Sequence, residues 1–389
     1  MRHRVLTLNN ISARGLERLP RERYEIAADL EQPDAILVRS ADMHGMVIPD
    51  SLRAVGRAGA GVNNIPVAEL SRRGIPVFNA PGANANAVKE LVLAGLLLAA
   101  RNVCQAWAFA RALTGDDHAI DAAVEKGKKK FVGFELPGRT LGVVGLGAVG
   151  VEVANSALAL GMKVLGYDPQ ITVQRAWQLS SAVEQALSLD DLFARADAIT
   201  VHVPLNDHTR KLVNEARLKL MKKGGIILNF ARAAIVDDQA VSGALESGRL
   251  HAYVCDFPNT VLKDHPKVVA LPHLGASTGE AEENCAVMVA DQLRDFLENG
   301  NVKNSVNYPE VLLARVPNTT RLAVANSNVP NMVGQISTCL AGAGINIADL
   351  LNKSRGEYAY TLIDADGTIG DDLLHQVRAI DGVLTARIV

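Results

Sequence analysis

The run Gly145-Leu146-Gly147-Ala148-Val149-Gly150 sets the tightest condition on how this 389-residue chain can fold. It follows the apolar stretch Leu141–Val144 directly and opens the helix-patterned segment Val149–Leu160. A strand, a glycine turn and a helix in that order form one unit of a parallel α/β sheet. The first glycine permits the tight turn, the second lets backbone approach a pyrophosphate, and the third lets helix pack close to strand. The helix N-terminus adds unbonded N–H groups and a partial positive charge for the phosphates. The next strand-like segment, Lys163–Asp168, ends in an acid 23 residues beyond Gly145. A carboxylate there accepts hydrogen bonds from the two adenosine ribose hydroxyls and repels a 2′-phosphate, so the expected cofactor is NAD rather than NADP. The competing reading is a glycine-rich turn followed by a surface aspartate.

The rest of the chain is consistent with such a sheet. Short apolar segments at Arg4–Leu8, Ala35–Val38, Ala54–Gly59 and Pro76–Asn79 alternate with stretches of helical period, which implies parallel sheet covered on both faces. The pattern predicts one long helix from Glu90 to Leu113. A second α/β run has strands at Thr140–Gly145, Lys163–Asp168, Ala198–Val203, Gly225–Asn229, His251–Asp256 and Val268–Leu271. A helix over Gly279–Glu298 and a connection over Gly300–Pro317 follow. Residues 321 to 389 then read strand, helix, strand, strand, helix, strand, the βαββαβ order of ferredoxin-like domains. The fold class is therefore α/β, with two Rossmann-like doubly wound domains and a small ferredoxin-like domain.

Composition excludes several classes. Lys+Arg 40 against Asp+Glu 42 leaves a net charge of −2, so no strong field draws the chain to nucleic acid or to a membrane. The longest apolar stretch, Leu91–Ala100, is ten residues, half of the roughly 20 a bilayer span needs. The first residues lack the apolar run of a signal peptide. The four cysteines Cys104, Cys255, Cys285 and Cys339 have no CxxC spacing, which fits a reduced, cytoplasmic protein without a disulfide framework. The histidines, including His202 and His208, offer no metal spacing, and no metal is expected.

Two later segments carry groups suited to hydride transfer. In Leu228-Asn229-Phe230-Ala231-Arg232 the arginine sits just past the C-terminal end of an apolar strand, where open α/β sheets bind ligands. Its guanidinium can hold a carboxylate bidentately and polarise the adjacent carbonyl. In Pro272-His273-Leu274-Gly275-Ala276-Ser277-Thr278 a histidine likewise follows a strand, and imidazole can take a hydroxyl proton as hydride leaves. Taken singly, the arginine also fits a surface ion pair and the histidine a structural hydrogen-bonder.

In all these segments the chain resembles the D-isomer-specific 2-hydroxyacid dehydrogenases and, within them, the D-3-phosphoglycerate dehydrogenases of serine biosynthesis. The resemblance runs through RAGAGVNNI (57–65), FNAPGANANAVKE (78–90), LGVVGLGAVG (141–150), YDP (167–169), HVPL (202–205), NFARAAIVDD (229–238) and LPHLGAST (271–278). It implies a substrate-binding domain in two parts, 1–95 and 285–312, a nucleotide domain at 96–284 and a regulatory ACT domain at 319–389. It implies Arg232 as the substrate-carboxylate ligand and His273 as the acid/base. Cofactor contacts are expected at Gly145, Gly147, Ala148, Val149, Gly150, Asp168, Val203, Phe230, Ala231, Asp256, Gly275 and Ala276. Arg39 and Arg57 match positions that hold the substrate's carboxylate and phosphate. Lys128, in the run Lys126-Gly127-Lys128-Lys129-Lys130, falls where a basic cluster meets a neighbouring subunit's substrate.

One departure stands out. The family places a glutamate before a proline to orient the histidine, whereas this chain reads Asp256-Phe257-Pro258-Asn259. Asp264, Glu280 or Asp256 could take that role, and Asp264 is expected to because it is the only acid in the shortened loop. In the C-terminal domain Asn328 and Asn346 match positions that contact an L-serine effector. Pro330 is followed by Asn331 instead of the usual glycine, and the position often held by histidine is Asn326. The expected activity is NAD-dependent oxidation of a small phosphorylated hydroxyacid, D-3-phosphoglycerate, by a homodimer or homotetramer. The alternatives are another D-2-hydroxyacid substrate, or a protein that binds NAD(H) without turnover.

Overall fold

Five short strands, β1 (His3–Leu8), β2 (Tyr24–Ala27), β3 (Ala35–Val38), β4 (Ala54–Arg57) and β5 (Val77–Phe78), form a parallel sheet in the order β2-β1-β3-β4-β5. They come from a computed structural model that describes residues 2–389. Parallel strands lie under cover on both faces, so they read as unbroken apolar runs. All four residues of β3 are buried. The helix Gly279–Asn299 covers one face. It comes so close because β4 carries a glycine, where a Cβ at Gly56 would lie 2.7 Å from Val289 Cγ2.

The second sheet has seven parallel strands: β6 (Thr140–Val144), β7 (Lys163–Tyr167), β8 (Glu184–Gln185), β9 (Ala198–Val201), β10 (Gly225–Asn229), β11 (Leu250–Cys255) and β12 (Val268–Ala270). Their order is β12-β11-β10-β9-β6-β7-β8. Strand order reverses between β6 and β9, the place where doubly wound sheets bind ligands. Apolar cores lie on both faces, one built on Leu141, Val143 and Leu228, the other on Val144, Ile199 and Ile227. The expected helix over Glu90–Leu113 is two helices, Ala85–Ala100 and Val103–Arg111, bent by 66°. Asn102 breaks it by taking a left-handed conformation, φ 51°, which asparagine tolerates better than most residues. Eight residues of the first helix are buried and none of the second. Among the described residues no single helix is long and apolar enough to cross a membrane.

The last strands, β13 (Thr319–Ser327), β14 (Ile347–Arg355), β15 (Tyr358–Asp366) and β16 (Val383–Ile388), form an antiparallel sheet in the order β14-β15-β13-β16. With the helices Met332–Gly342 and Asp371–Arg378 this is the βαββαβ arrangement. Alternation along β13 sends Leu322 and Val324 to the helix side, and Ala323 and Ala325 to the other. The second face is not free. Ala323, Ala325, Tyr360 and Leu362 share one core with Val5, Phe78, Phe296 and Tyr308. The chain accordingly divides in two: one unit joins the segment ending at Asn84 to Gly279–Val389, and the other is Ala85–Thr278. The sequence reading sets 319–389 apart, whereas in the structure this sheet completes the first unit's core.

Arg321 and Asp364 fasten that sheet. Both side chains are 0% exposed, and Nε–Oδ1 and Nη2–Oδ2 are each 2.6 Å. Arg321 Nη1 also donates to the carbonyls of Asn299 and Leu313, and Asp364 Oδ2 accepts from Val316 N–H. Burial alone would raise the Asp364 carboxyl, but these hydrogen bonds hold it below its ordinary value.

Candidate active site

Every strand of the seven-stranded sheet runs the same way, so the C-terminal ends share one edge, and the expected cofactor and catalytic residues lie along it. Gly145 follows β6, Asp168 follows β7, Val203 lies two residues past β9, and Phe230-Ala231-Arg232 follow β10. Asp256 follows β11, and His273 lies three residues past β12.

Each glycine of the turn has a physical reason. Gly145 has φ +90°, and a Cβ there would sit 2.7 Å from His202 O and 2.9 Å from Val203 Cγ1. At Gly150 a Cβ would lie 1.9 Å from Gly145 O, so only glycine lets the helix Ala148–Ala159 start against the strand. Gly147 differs, because nothing lies within 4 Å of its would-be Cβ. That opening stands before the first-turn N–H groups, which a helix cannot satisfy internally. Asp168 caps the turn, accepting from Leu146 N–H at 2.8 Å and Gln170 N–H at 2.9 Å. A carboxylate accepts about four hydrogen bonds, so capacity remains for two ribose hydroxyls. These residues fit a dinucleotide without a 2′-phosphate.

Arg232 is exposed, and its loop is set by a residue the sequence reading quoted without a role. Asn229 is fully buried, donates to Arg232 O at 3.0 Å and accepts from Ala231 N–H at 3.2 Å. Its signal was an amide ending a strand that is otherwise Gly-Ile-Ile-Leu. Phe230 is buried and meets the helix Ala85–Ala100 where Gly95 leaves room.

His273 is exposed with φ +56°, a left-handed conformation uncommon for a side-chain-bearing residue. Asp256, 1% exposed, holds it there by accepting from Leu274 N–H at 2.7 Å and Gly275 N–H at 2.8 Å. Asp256 is thus a buried loop anchor. The imidazole stands edge-on to Phe257, with ring centroids 5.2 Å apart at 61°. Asp264 is not its partner: that carboxylate pairs with Lys263 at 2.6 Å and its side chain is 82% exposed. Asn259 caps the turn through Val261 and Leu262 N–H, a fold that leaves Asp264 in solvent. Among the described residues no carboxylate hydrogen-bonds the His273 ring.

His202 is structural. Its Nε2 lies 2.9 Å from Thr200 Oγ1, and burial lowers its pKa to about 4. Among the described residues no three His, Cys, Asp or Glu side chains gather in a metal-binding group.

The other unit holds a second charged set. Arg57 ends β4 and Arg39 directly follows the neighbouring strand β3, whose register pairs Val38 with Arg57. Arg57 Nε donates to Arg39 O at 3.0 Å, and Gly59 leaves space for the Arg57 guanidinium, which would lie 2.4 Å from a Cβ. The Arg39 guanidinium pairs with Glu282, an acid the sequence reading did not single out. Lys128 sits in an exposed 3-10 turn and pairs with Glu125 at 2.5 Å. Asn328 donates to Gly356 O at 3.0 Å, and Asn346 to Asp366 Oδ2 at 2.7 Å.

Residues 93–275 match the D-isomer-specific 2-hydroxyacid dehydrogenase NAD-binding domain. A D-3-phosphoglycerate dehydrogenase of Haemophilus influenzae is 33% identical over 352 residues, 87% of this chain and 81% of that protein. One of Methanocaldococcus jannaschii is 38% identical over 298 residues, 74% of this chain but 54% of the relative, so the chain spans about half that protein's length. Among solved structures, the NAD+-bound 3-phosphoglycerate dehydrogenase of Entamoeba histolytica superposes with a TM-score of 0.61 at 25% identity, covering 79% of this chain and 99% of that one.

Proposed function

Because this chain belongs to the D-isomer-specific 2-hydroxyacid dehydrogenases, we propose that it oxidises D-3-phosphoglycerate to 3-phosphohydroxypyruvate with NAD. The observation that carries the reading is the single sheet edge that brings the glycine turn, Asp168, Arg232 and His273 past the ends of parallel strands.

Bound NAD supplies the acceptor for the hydride that leaves C2 of the substrate. The chain supplies the rest. The Arg232 guanidinium holds the substrate carboxylate and, in the reductive direction, polarises the adjacent C2 carbonyl toward hydride addition. The His273 imidazole takes the C2 hydroxyl proton as the hydride departs and returns it in reverse. Asp256 and Asn229 position those two loops from below. Asp168 binds the ribose and disfavours NADP, so NADH should be preferred over NADPH by on the order of 10-fold, one charge-assisted contact's worth. Arg39 and Arg57 hold the anionic groups of the substrate, and Lys128 contributes from a neighbouring subunit of a homodimer or homotetramer. We place the protein in the cytoplasm, consistent with its four free cysteines.

The C-terminal βαββαβ sheet, read as an ACT domain, is assigned L-serine as effector through Asn328 and Asn346. Their side-chain nitrogens are engaged, which leaves the amide oxygens to accept from an ammonium group.

Initial rates with NADH test the substrate assignment. 3-Phosphohydroxypyruvate should give the highest kcat/KM, ahead of pyruvate, glyoxylate and hydroxypyruvate. An unphosphorylated 2-oxoacid in first place would assign another member of the family. Titration with L-serine should lower the rate, less so in Asn346→Ala. Equal inhibition of both proteins would remove Asn346 from the effector site.

A further inference from the structure

Three arginines converge where β16 meets the N-terminal sheet, all within the first unit. Arg387 lies against the end of the helix Gly279–Asn299, donating to Leu297 O at 3.4 Å and to Phe296 O. Its guanidinium stacks 4.4 Å from the centroid of the Phe296 ring. Arg378 donates through Nε to Ala386 O at 2.8 Å. Neither arginine has a carboxylate in ion-pair contact among the described residues. Arg53, just before β4, has one, Asp34, at 3.3 Å.

Two cavities of about 430 Å³ each flank Arg53 and Arg387. One adds Arg378, and the other adds His3, Arg23 and Arg315. Asp50, on the first cavity, pairs with Arg73 outside it, whereas Glu298 pairs with Arg23 within the second cavity and also with Arg294. Their size lies within the range of small-molecule sites. Of the three only Arg387 is partly buried without a carboxylate partner, and such a cation is costly unless something pairs with it, whereas Arg53 and Arg378 are exposed beside it on the first cavity. Burial is the main cause that lowers the pKa of both Arg387 and His3; the Arg53 charge lowers both as well, while Asp34 opposes it in each case.

We propose that this joint is a binding site for a phosphate-sized dianion, held by Arg53, Arg378 and Arg387. Planar guanidinium forks match phosphate oxygens in pairs. A dianion there would tie β16 to the residue that opens β4, whose other end carries Arg57. The site does not depend on the reaction proposed above, because none of its three arginines belongs to the catalytic set.

Hydrogen exchange of the full chain, titrated with inorganic phosphate at constant ionic strength, tests it. Saturable slowing is expected in peptides covering Val383–Ile388 and Leu52–Ala54. The Arg53→Gln/Arg378→Gln double variant should need at least about tenfold more phosphate for the same protection, while keeping its NADH turnover. Phosphate held at Arg39 and Arg57 instead would protect the ends of β3 and β4 equally in both proteins. Glycerol 2-phosphate run in parallel separates sources: protection at lower concentration than inorganic phosphate assigns a phosphomonoester. No saturable protection of β16 by either probe, or the same protection in the double variant, overturns the proposal.

Discussion

At the residue scale, the proton transfer proposed for His273 rests on the imidazole itself and not on the acids around it. His273→Asn keeps a side chain of similar reach without a base, and kcat should fall by about 10²–10⁴-fold, the usual worth of a general base. Asp264→Ala should leave kcat and its pH profile within twofold of the wild type, because that carboxylate lies in solvent on Lys263. Sequence reasoning located the histidine but not its surroundings. Asp264 is near His273 in the chain, and chain proximity says nothing of how Asn259 turns the loop between them. His202 makes a stability prediction. Its folded pKa of about 4 lies below the ordinary histidine value, so the unfolded chain binds the extra proton between about pH 6.5 and 4. Stability is complete above that window and falls as pH drops through it, by on the order of 3 kcal/mol in total. His202→Gln should flatten the acid limb of a plot of urea midpoint against pH. An unchanged slope would mean that His202 does not supply it.

At the element scale, the glycine turn and the histidine loop make separable predictions. Gly150→Ala forces a methyl to 1.9 Å from Gly145 O and should cost stability and NADH affinity together. Gly147→Ala points into open space, so the melting temperature should hold while NADH binding weakens. Equal thermal losses in both variants would contradict a cofactor role for that opening. Asp256→Asn exchanges one of two accepting oxygens for a donor facing an N–H, at about 1–3 kcal/mol for a buried mispairing. It should raise exchange in the 273–276 loop before affecting the rest of the sheet. The strands were legible in the sequence because buried parallel strands are uninterrupted apolar runs, as in Ala35–Val38 and Gly225–Asn229. Helix continuity was not. The apolar pattern runs on through Arg101 and Asn102, and only the positive φ of Asn102 breaks it.

At the scale of the whole molecule, the C-terminal sheet is structural as well as a candidate effector domain. The βαββαβ order was visible in the residue pattern, but its attachment was not. Arg321 stands in a strand-like sequence, and nothing local says that it is buried or that its partner lies 43 residues on, at Asp364. Removing one member of such a pair costs about 3–5 kcal/mol by leaving a buried charge alone. Asp364→Ala should therefore lower the stability of the N-terminal sheet together with that of β13–β16, read as one cooperative transition. Two separated transitions, with only the C-terminal strands affected, would mean that the sheet folds independently. The reaction proposed at the edge of the seven-stranded sheet is NAD-linked chemistry on a phosphorylated 2-hydroxyacid. The most direct test is NADH absorbance followed on mixing the full chain with 3-phosphohydroxypyruvate, wild type beside His273→Asn. Rapid loss of NADH in the wild type and a rate at least about 10²-fold lower in the variant is the predicted result. Stable absorbance in the wild type with NADH bound, or equal rates in the two proteins, would contradict it.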